Sequence, residues 1–426
     1  MHLIPKTHGS PAPLRLHQPD EGDEPLELTL LMPCLDEART VGACVEKALS
    51  FLSRHGISGE VLVADNGSAD GSREVAAQAG ARVVLVRERG YGAALLAGIE
   101  EAFGRYVIMG DSDGSYDWTE LMPFVEQLRA GHELVMGNRF RGGIQKGAMP
   151  FLHRYLGNPL LSALGQRFFG SQCGDFYCGL RGFSRAAALR MDLRSRGMEF
   201  ALEMLVKATL LGMRVSEVPI RLSPDGRGRR SHLRTWRDGW RSLRFYLLYS
   251  PRWLFLYPGL CLMAFGLGLG AWLVPGARQL GALRLDVHTL LYCAVAASVG
   301  FQLVAFALFG KVLAVVSGLH PPSRMAEGFV RELHLEHGLA AGGALALFGL
   351  VLSLRATLGW AGHSFGALDP FQTMRTTIPG ALLIMLGFQV IGCRFYFSLL
   401  KMHWHERFEQ RERQGGIRDW ARRKAA

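Results

Sequence analysis

The chain has 426 residues, 48 Lys+Arg against 37 Asp+Glu, a formal net charge of +11 and 49% hydrophobic residues. Its length allows about two or three domains, and a mean hydropathy of +0.13 with 20% charged residues excludes both a disordered chain and one built of membrane spans alone. Residues 253–274 and 287–310 carry no Asp, Glu, Lys or Arg, which excludes a simple soluble protein.

The first 25 residues hold Pro and charge but no apolar core ahead of a cleavage site, so they read as a flexible tail and not as a signal peptide. From 26 to about 140, short apolar runs at 26–33, 60–65, 81–88, 106–111 and 133–140 alternate with helix-length segments. The runs are rich in Val, Ile and Leu on both faces, as buried parallel strands are. The intervening segments, such as TVGACVEKALSFLSR and TELMPFVEQLRAG, read as amphipathic helices. This alternation predicts an α/β fold with a mostly parallel open sheet, the whole domain covering 26–222. Residues 141–222 are less regular, with a helix over 199–212 and a short apolar run before Pro219.

Between Arg221 and Arg252 stand nine arginines and two acids, interleaved with Trp236, Trp240, Phe245 and Tyr246. Placed immediately before an apolar span, this stretch reads as a membrane-surface element, and no nucleic-acid partner is expected. Residues 223–252 divide into a basic loop and an interfacial helix over 233–249. Four spans follow at 253–274, 287–310, 338–354 and 377–393, the last two only 17 residues each, so that a re-entrant course is the alternative there. The spans make 253–400 an α-helical membrane domain. The tail over 401–426 carries eight Lys/Arg. Four crossings put it on the same side as the basic stretch, which the positive-inside rule assigns to the cytoplasm of a plasma membrane. The seven cysteines form no CxxC pair and read as reduced thiols without zinc.

In an open parallel sheet the ligand sits beyond the carboxyl ends of the strands. The runs here end in Pro33-Cys34-Leu35-Asp36-Glu37, in Asp65-Asn66-Gly67-Ser68, in Arg89-Gly90-Tyr91-Gly92, in Asp111-Ser112-Asp113, and in Gly137-Asn138-Arg139-Phe140. Carboxylates therefore gather at one edge, where they need a cation or hydrogen-bond donors. Asp111 and Asp113 flank one residue and suit Mg²⁺ or Mn²⁺, which take oxygen ligands and leave sites open for phosphate. Asp65 suits an Asx-turn, a base N–H or a sugar hydroxyl.

The order of these motifs resembles glycosyltransferase family 2 enzymes of GT-A fold, and among them the dolichol-phosphate mannose or glucose synthases and their bacterial polyprenyl-phosphate relatives. The likeness covers roughly 27–250. Pro33 to Glu37 stand for Pro-x-x-Asn-Glu, with Asp36 for the Asn. Asp65 to Ser68 stand for Asp-Asp-Gly-Ser, Asp111-Ser112-Asp113 for the metal motif, and Gly137 to Phe140 for Gly-Ser/Thr-Arg-Tyr. The segment Asp175–Phe183, then Glu199, Glu203 and Glu217-Val218-Pro219, are similar to later elements of the family. Ser231-His232-Leu233 replaces its closing Ser-Lys-Leu.

The resemblance implies inverting transfer of a hexose from a UDP- or GDP-hexose to a polyprenyl phosphate at a membrane. It assigns catalysis to Asp113 and Arg139 and the metal, Mg²⁺ or Mn²⁺, to Asp111 and Asp113. Donor binding falls to Pro33, Leu35, Glu37, Val63, Asp65, Asp111, Ser112, Arg227, Arg229, Arg230 and His232. Arg139, Arg154 and Asn158 are assigned to the acceptor phosphate. Two other readings compete. A processive polysaccharide synthase of the same fold carries a Gln-x-x-Arg-Trp element that this sequence lacks. A transporter with a nucleotide-binding domain should place ionisable residues inside its spans, and only His288 lies there; a catalytically dead scaffold is opposed by the intact Asp111/Asp113 pair.

Overall fold

The computed structural model describes residues 26–228, 235–317, 319–320, 328 and 334–425, and of residue 235 and residues 403–425 the backbone alone. The expected N-terminal tail, and Arg229, Arg230 and His232, lie outside the described residues.

Seven strands form one sheet: β1 (Leu28–Cys34), β2 (Gly59–Asp65), β3 (Arg82–Leu85), β4 (Tyr106–Met109), β5 (Leu134–Asn138), β6 (Arg181–Ser184) and β7 (Val215–Pro219). Their order is β3-β2-β1-β4-β6-β5-β7. Strands β1 to β4 pair in parallel, as do β5 and β7. Only β6 runs antiparallel, between β4 and β5. Each of the five apolar runs contains a strand, as the sequence led us to expect. The reversed strand β6 was not foreseen, because Arg-Gly-Phe-Ser has neither an apolar run nor alternation.

The helices are α1 (Val41–Arg54), α2 (Ser72–Gln78), α3 (Tyr91–Glu101), α4 (Met122–Arg129), α5 (Arg139–Gly142), α6 (Asn158–Phe169), α7 (Arg185–Met191), α8 (Phe200–Leu210) and α9 (Thr235–Tyr249). Side chains alternate across a strand, so Leu30 and Leu31 point to opposite faces, yet neither is exposed. One face packs Leu30, Met32 and Ile108 against Phe51 of α1 and Phe124 of α4. The other packs Leu31, Val107 and Met109 with residues of α3, α6, α8 and α9. Cover on both faces explains the two-sided apolar strands and leaves the strand ends for chemistry.

Among the described residues four helices are long and apolar enough to cross a membrane: Arg252–Leu273, Val287–Val316, Leu335–Gly362 and Pro370–Met402. Their regular α-helical parts are α10 (Tyr257–Leu273), α11 (Val287–Val316), α12 (Leu335–Gly362) and α13 (Pro370–Ala425). The last two candidate spans have 28 and 33 residues. At 1.5 Å per residue each exceeds the roughly 30 Å of a bilayer core, so neither is short. Helix α10 packs on α11, α11 on α13, and α13 on α12. Glycines permit the close approach: a Cβ on Gly266 would stand 2.4 Å from the Cys293 carbonyl oxygen and 2.5 Å from the Ala297 nitrogen.

A buried polar network joins the two parts. Glu203 of α8 pairs with Lys207 at 2.7 Å and accepts from the Ser195 amide at 2.7 Å and from the Tyr249 hydroxyl at 3.3 Å. His320 Nε2 donates to the Tyr249 carbonyl at 2.7 Å, which leaves Nδ1 to accept from Lys311 at 3.2 Å. Burial, reinforced by the positive Lys311, lowers the His320 pKa to about 4.

The lowered pKa means that folding favours neutral His320. Its contribution is complete above the unfolded value of about 6.5 and is lost as pH falls from there toward 4. Stability against thermal unfolding in nanodiscs should therefore fall with acidification by up to about 1.4 kcal/mol per pH unit more in the native protein than in His320→Gln. Equal slopes would refute the buried neutral imidazole. In the membrane domain, Gly266→Val should cost about 1–3 kcal/mol by overpacking, whereas Gly268→Val, with nothing within 4 Å of its Cβ, should leave the melting temperature unchanged.

Candidate active site

The carboxyl ends of β1 and β4 lie side by side in the sheet. The chain leaves β1 through Asp36, whose positive φ of 56° is one that Asp tolerates. Its side chain accepts from the Ala69 amide at 2.9 Å, and its own amide donates to Ser68 Oγ at 2.9 Å. The ends of β1 and β2 are thereby locked together. Asp65 is fully buried and accepts from the amides of Gly67 at 3.0 Å and Ser68 at 3.1 Å, an Asx-turn. Asn66 reaches the next loop, donating to the Glu88 carbonyl at 2.6 Å and accepting from the Gly90 amide at 2.6 Å.

Beyond β4, Ser112 turns back to donate to the Pro33 carbonyl at 2.9 Å, which leaves Asp111 and Asp113 on either side of a pinned residue. Asp113 accepts from the Ser115 amide at 2.9 Å and pairs with Arg227 Nη2 at 2.6 Å. The same guanidinium lies 3.0 Å from Glu37 through Nε. The Arg227 loop is fixed by its backbone: the Ser223 amide donates to Ser115 O at 2.9 Å, and the Gly226 amide to Asp113 O at 2.8 Å. Burial and then the neighbouring Asp113 push the Asp111 carboxyl up to about 6, against the opposing pull of Arg227 and a hydrogen bond from Tyr91. Gly179 closes the site, since a Cβ there would stand 3.0 Å from Asp111 Oδ2.

Arg139 is buried, and its fork is engaged by Asp175: Nε reaches Oδ2 and Nη2 reaches Oδ1, each at 2.7 Å. Burial alone would lower its pKa; the Asp175 pair more than reverses this and raises it, keeping the guanidinium charged. Glu217 accepts from the Gly174 amide at 2.6 Å and from Asn138 Nδ2 at 3.2 Å, bracing the Asp175 loop against β5. Arg181 is fully buried and donates to the carbonyls of Cys178 at 2.8 Å and Phe176 at 2.9 Å. Beside this pair opens a cavity of about 350 Å³ lined by Asn138, Phe140, Arg141, Pro159, Gln166 and Gly174.

Pro33, Glu37, Ser112, Asp111, Asp113 and Arg227 thus converge, with Asp65 braced at the neighbouring strand end and Leu35 48% exposed at the rim. Val63 does not join them. It is fully buried among Met32 and Val61, because its strand position faces the core two residues before the strand ends. Arg154 lies in the π-helical turn His153–Gly157 with its guanidinium 5.3 Å from the centre of the Tyr155 ring. Asn158 donates to Met149 Sδ at 3.5 Å. Sequence reasoning had no site role for Tyr91, Arg181 or Gly179. Tyr91 sits in the quoted Gly90-Tyr91-Gly92 turn, and that is the signal that pointed to it.

The chain matches the family described as Glycosyl transferase family 2 over residues 29–190, and the Glycosyltransferase family 2 C-terminal transmembrane region over 308–401. It is 34% identical over 375 residues to the low-salt glycan biosynthesis hexosyltransferase Agl6 of Haloferax volcanii, covering 88% of this chain and 89% of that protein. It is 27% identical over 195 residues to the dolichyl-phosphate hexose transferase of the same organism, covering 46% of this chain and 82% of that one. Among solved structures, it resembles Mycobacterium tuberculosis glucosyl-3-phosphoglycerate synthase in complex with Mn²⁺, UDP and glucosyl-3-phosphoglycerate. That likeness has a TM-score of 0.40 and 21% identity, covering 52% of this chain and 78% of that one. With one-third identity held across nearly the whole length, and both family regions matched in order, the chain belongs to glycosyltransferase family 2.

Proposed function

We propose that the chain transfers a hexose from a UDP- or GDP-hexose to a membrane polyprenyl phosphate, with inversion at the anomeric carbon. The observation that carries the reading is an acidic site bridged by Arg227, on a domain whose core continues through α9 into the first candidate span. A water-soluble donor and a lipid acceptor meet only at such a boundary. The likeness to a dolichyl-phosphate hexose transferase supports the acceptor class.

Asp111 and Asp113 offer hard oxygen donors, which fit Mg²⁺ or Mn²⁺. Among the described residues no group of three or more His, Cys, Asp and Glu gathers as a metal site; Asp111 and Asp113 are the residues that would hold the cation. When bound, the cation supplies positive charge for the departing diphosphate. The residues of the chain do the rest. Arg227 holds Asp113 and Glu37 together, and the reading assigns its guanidinium to the diphosphate oxygens. Asp65 and Glu37 shape the nucleotide side. The acceptor phosphate has a second pKa of about 6, so at neutral pH it attacks as a dianion without a protein base. Its oxygen bonds to the anomeric carbon as the bond to the diphosphate breaks on the opposite face. Arg139, held by Asp175, contributes a fixed positive charge, and the reading assigns Arg154 and Asn158 to the acceptor phosphate. On this reading the site and the basic C-terminal helix lie in the cytoplasm.

Incubating membranes with a panel of radiolabelled nucleotide-sugars and extracting lipid should yield a product with a single hexose. A labelled polymer would favour a processive synthase, and no lipid label with any donor would refute the reading. Asp113→Ala should lower transfer by about two to three orders of magnitude while the membrane domain keeps its melting temperature; full turnover at saturating Mn²⁺ would remove Asp113 from the site. Asp175→Ala should cost about 3–5 kcal/mol by leaving Arg139 buried and unpaired. The double variant Arg139→Met/Asp175→Leu should recover that stability but not activity, and recovery of both would reduce the pair to a structural role.

A further inference from the structure

Two cations stand where the catalytic and membrane domains join, and among the described residues no carboxylate pairs with either. Lys311 lies five residues before α11 ends at Val316, about 8 Å along the axis, and so inside a candidate span. Arg252 is the first residue of another. The π-helical turn Arg252–Leu256 packs on α11. At that contact a Cβ on Gly310, next to Lys311, would stand 3.4 Å from Pro251 Cγ, next to Arg252.

The charge around them is of one sign. The half-buried Lys311 ammonium meets His320 Nδ1, a neutral acceptor, at 3.2 Å. Arg252 is exposed, and its Nη2 donates to the Phe168 carbonyl at 3.4 Å. Lys311, Arg252 and Lys207 all act on His320 with positive charge, and Glu203 is already paired with Lys207 at 2.7 Å. An ammonium carries three N–H groups and a guanidinium five, so most of the donors here are uncommitted among the described residues. The Ser250 hydroxyl, two residues before Arg252 and in a residue only 3% exposed, also has no hydrogen-bond partner there. Donors without acceptors at the polar boundary of a bilayer suit a phosphate. The floor of the site suits a lipid. Phe255, three residues deeper than Arg252, and Phe306, five residues deeper than Lys311, pack edge to face with ring centres 6.0 Å apart. Phe306 is 43% exposed, so an acyl chain hanging from the phosphate lies along this aromatic pair.

We propose that Lys311 and Arg252 bind the phosphate of one anionic phospholipid, held between the first candidate span and α11 as a fixed part of the junction. The lipid supplies the negative charge that the described residues lack. It does so beside the imidazole that ties the end of α11 to α9 through the Tyr249 carbonyl at 2.7 Å. The inference requires neither a particular donor nor a particular acceptor for the transfer reaction.

The test uses the full chain in detergent, with lipid binding read by native mass spectrometry and by melting temperature. One molecule of phosphatidylglycerol should stay bound under conditions that strip phosphatidylcholine. Lys311→Met/Arg252→Gln should weaken that first binding about thirtyfold, and Arg252→Gln alone, at an exposed position, about fivefold. Arg278→Gln, an exposed cation beyond the far end of the first candidate span, should leave it unchanged. Millimolar inorganic phosphate should neither displace the lipid nor raise the melting temperature. Phosphatidylglycerol held as tightly by Arg252→Gln and the double variant as by the native protein would overturn the proposal, as would phosphatidylcholine held as tightly as phosphatidylglycerol. Protection by inorganic phosphate equal to that by lipid would also overturn it, because the site would then take a soluble anion. So would a polyprenyl phosphate that displaces phosphatidylglycerol one for one, since that outcome makes the site part of acceptor binding.

Discussion

Charge crowding at one edge of the sheet governs the site. Adjacent parallel strands β1 and β4 deliver Glu37, Asp111 and Asp113 to the same place, and like charges brought together raise each other's cost of ionisation. The chain answers with Arg227, which reaches Glu37 and Asp113 with one guanidinium. Asp111 retains the strain of the arrangement, with its carboxyl at about 6. A site in this condition favours further positive charge. Because Arg227 belongs to the segment after β7, the same charge balance draws that segment back over the strand ends.

The buried polar pairs follow a common design. Arg139–Asp175, Glu203–Lys207 and the carbonyl contacts of Arg181 each satisfy a buried charge with several hydrogen bonds. A charge held this way is costly to unpair, so the loops around it have one arrangement. The pair at Arg139 changes the expected role of that residue. An arginine whose fork is already engaged supplies field and position.

The membrane domain makes a different use of chemistry. Glycines on α10 and α11 let backbones approach, and His320, Tyr249 and Glu203 make polar contacts at the junction with α8 and α9. Rigid attachment at that junction lets the helices act as the foundation of a site that faces water.

The sequence by itself determined the parallel strands, the spans and the acidic edge. Two-sided runs such as 106–111 can be buried only between layers of helix, and strand ends carry ligand residues by topology; Glu37, Asp111 and Asp113 were therefore legible, as was α9 from its aromatic and basic residues. What the tertiary structure alone decided are the relations between distant segments. Strand β6 pairs where no local pattern marks it. Arg227 meets Glu37 from 190 positions away, Arg139 finds Asp175, and Val63 falls on the inner side of its strand. Local sequence fixes the period of a segment, but the side of the segment that meets protein is set by what folds against it.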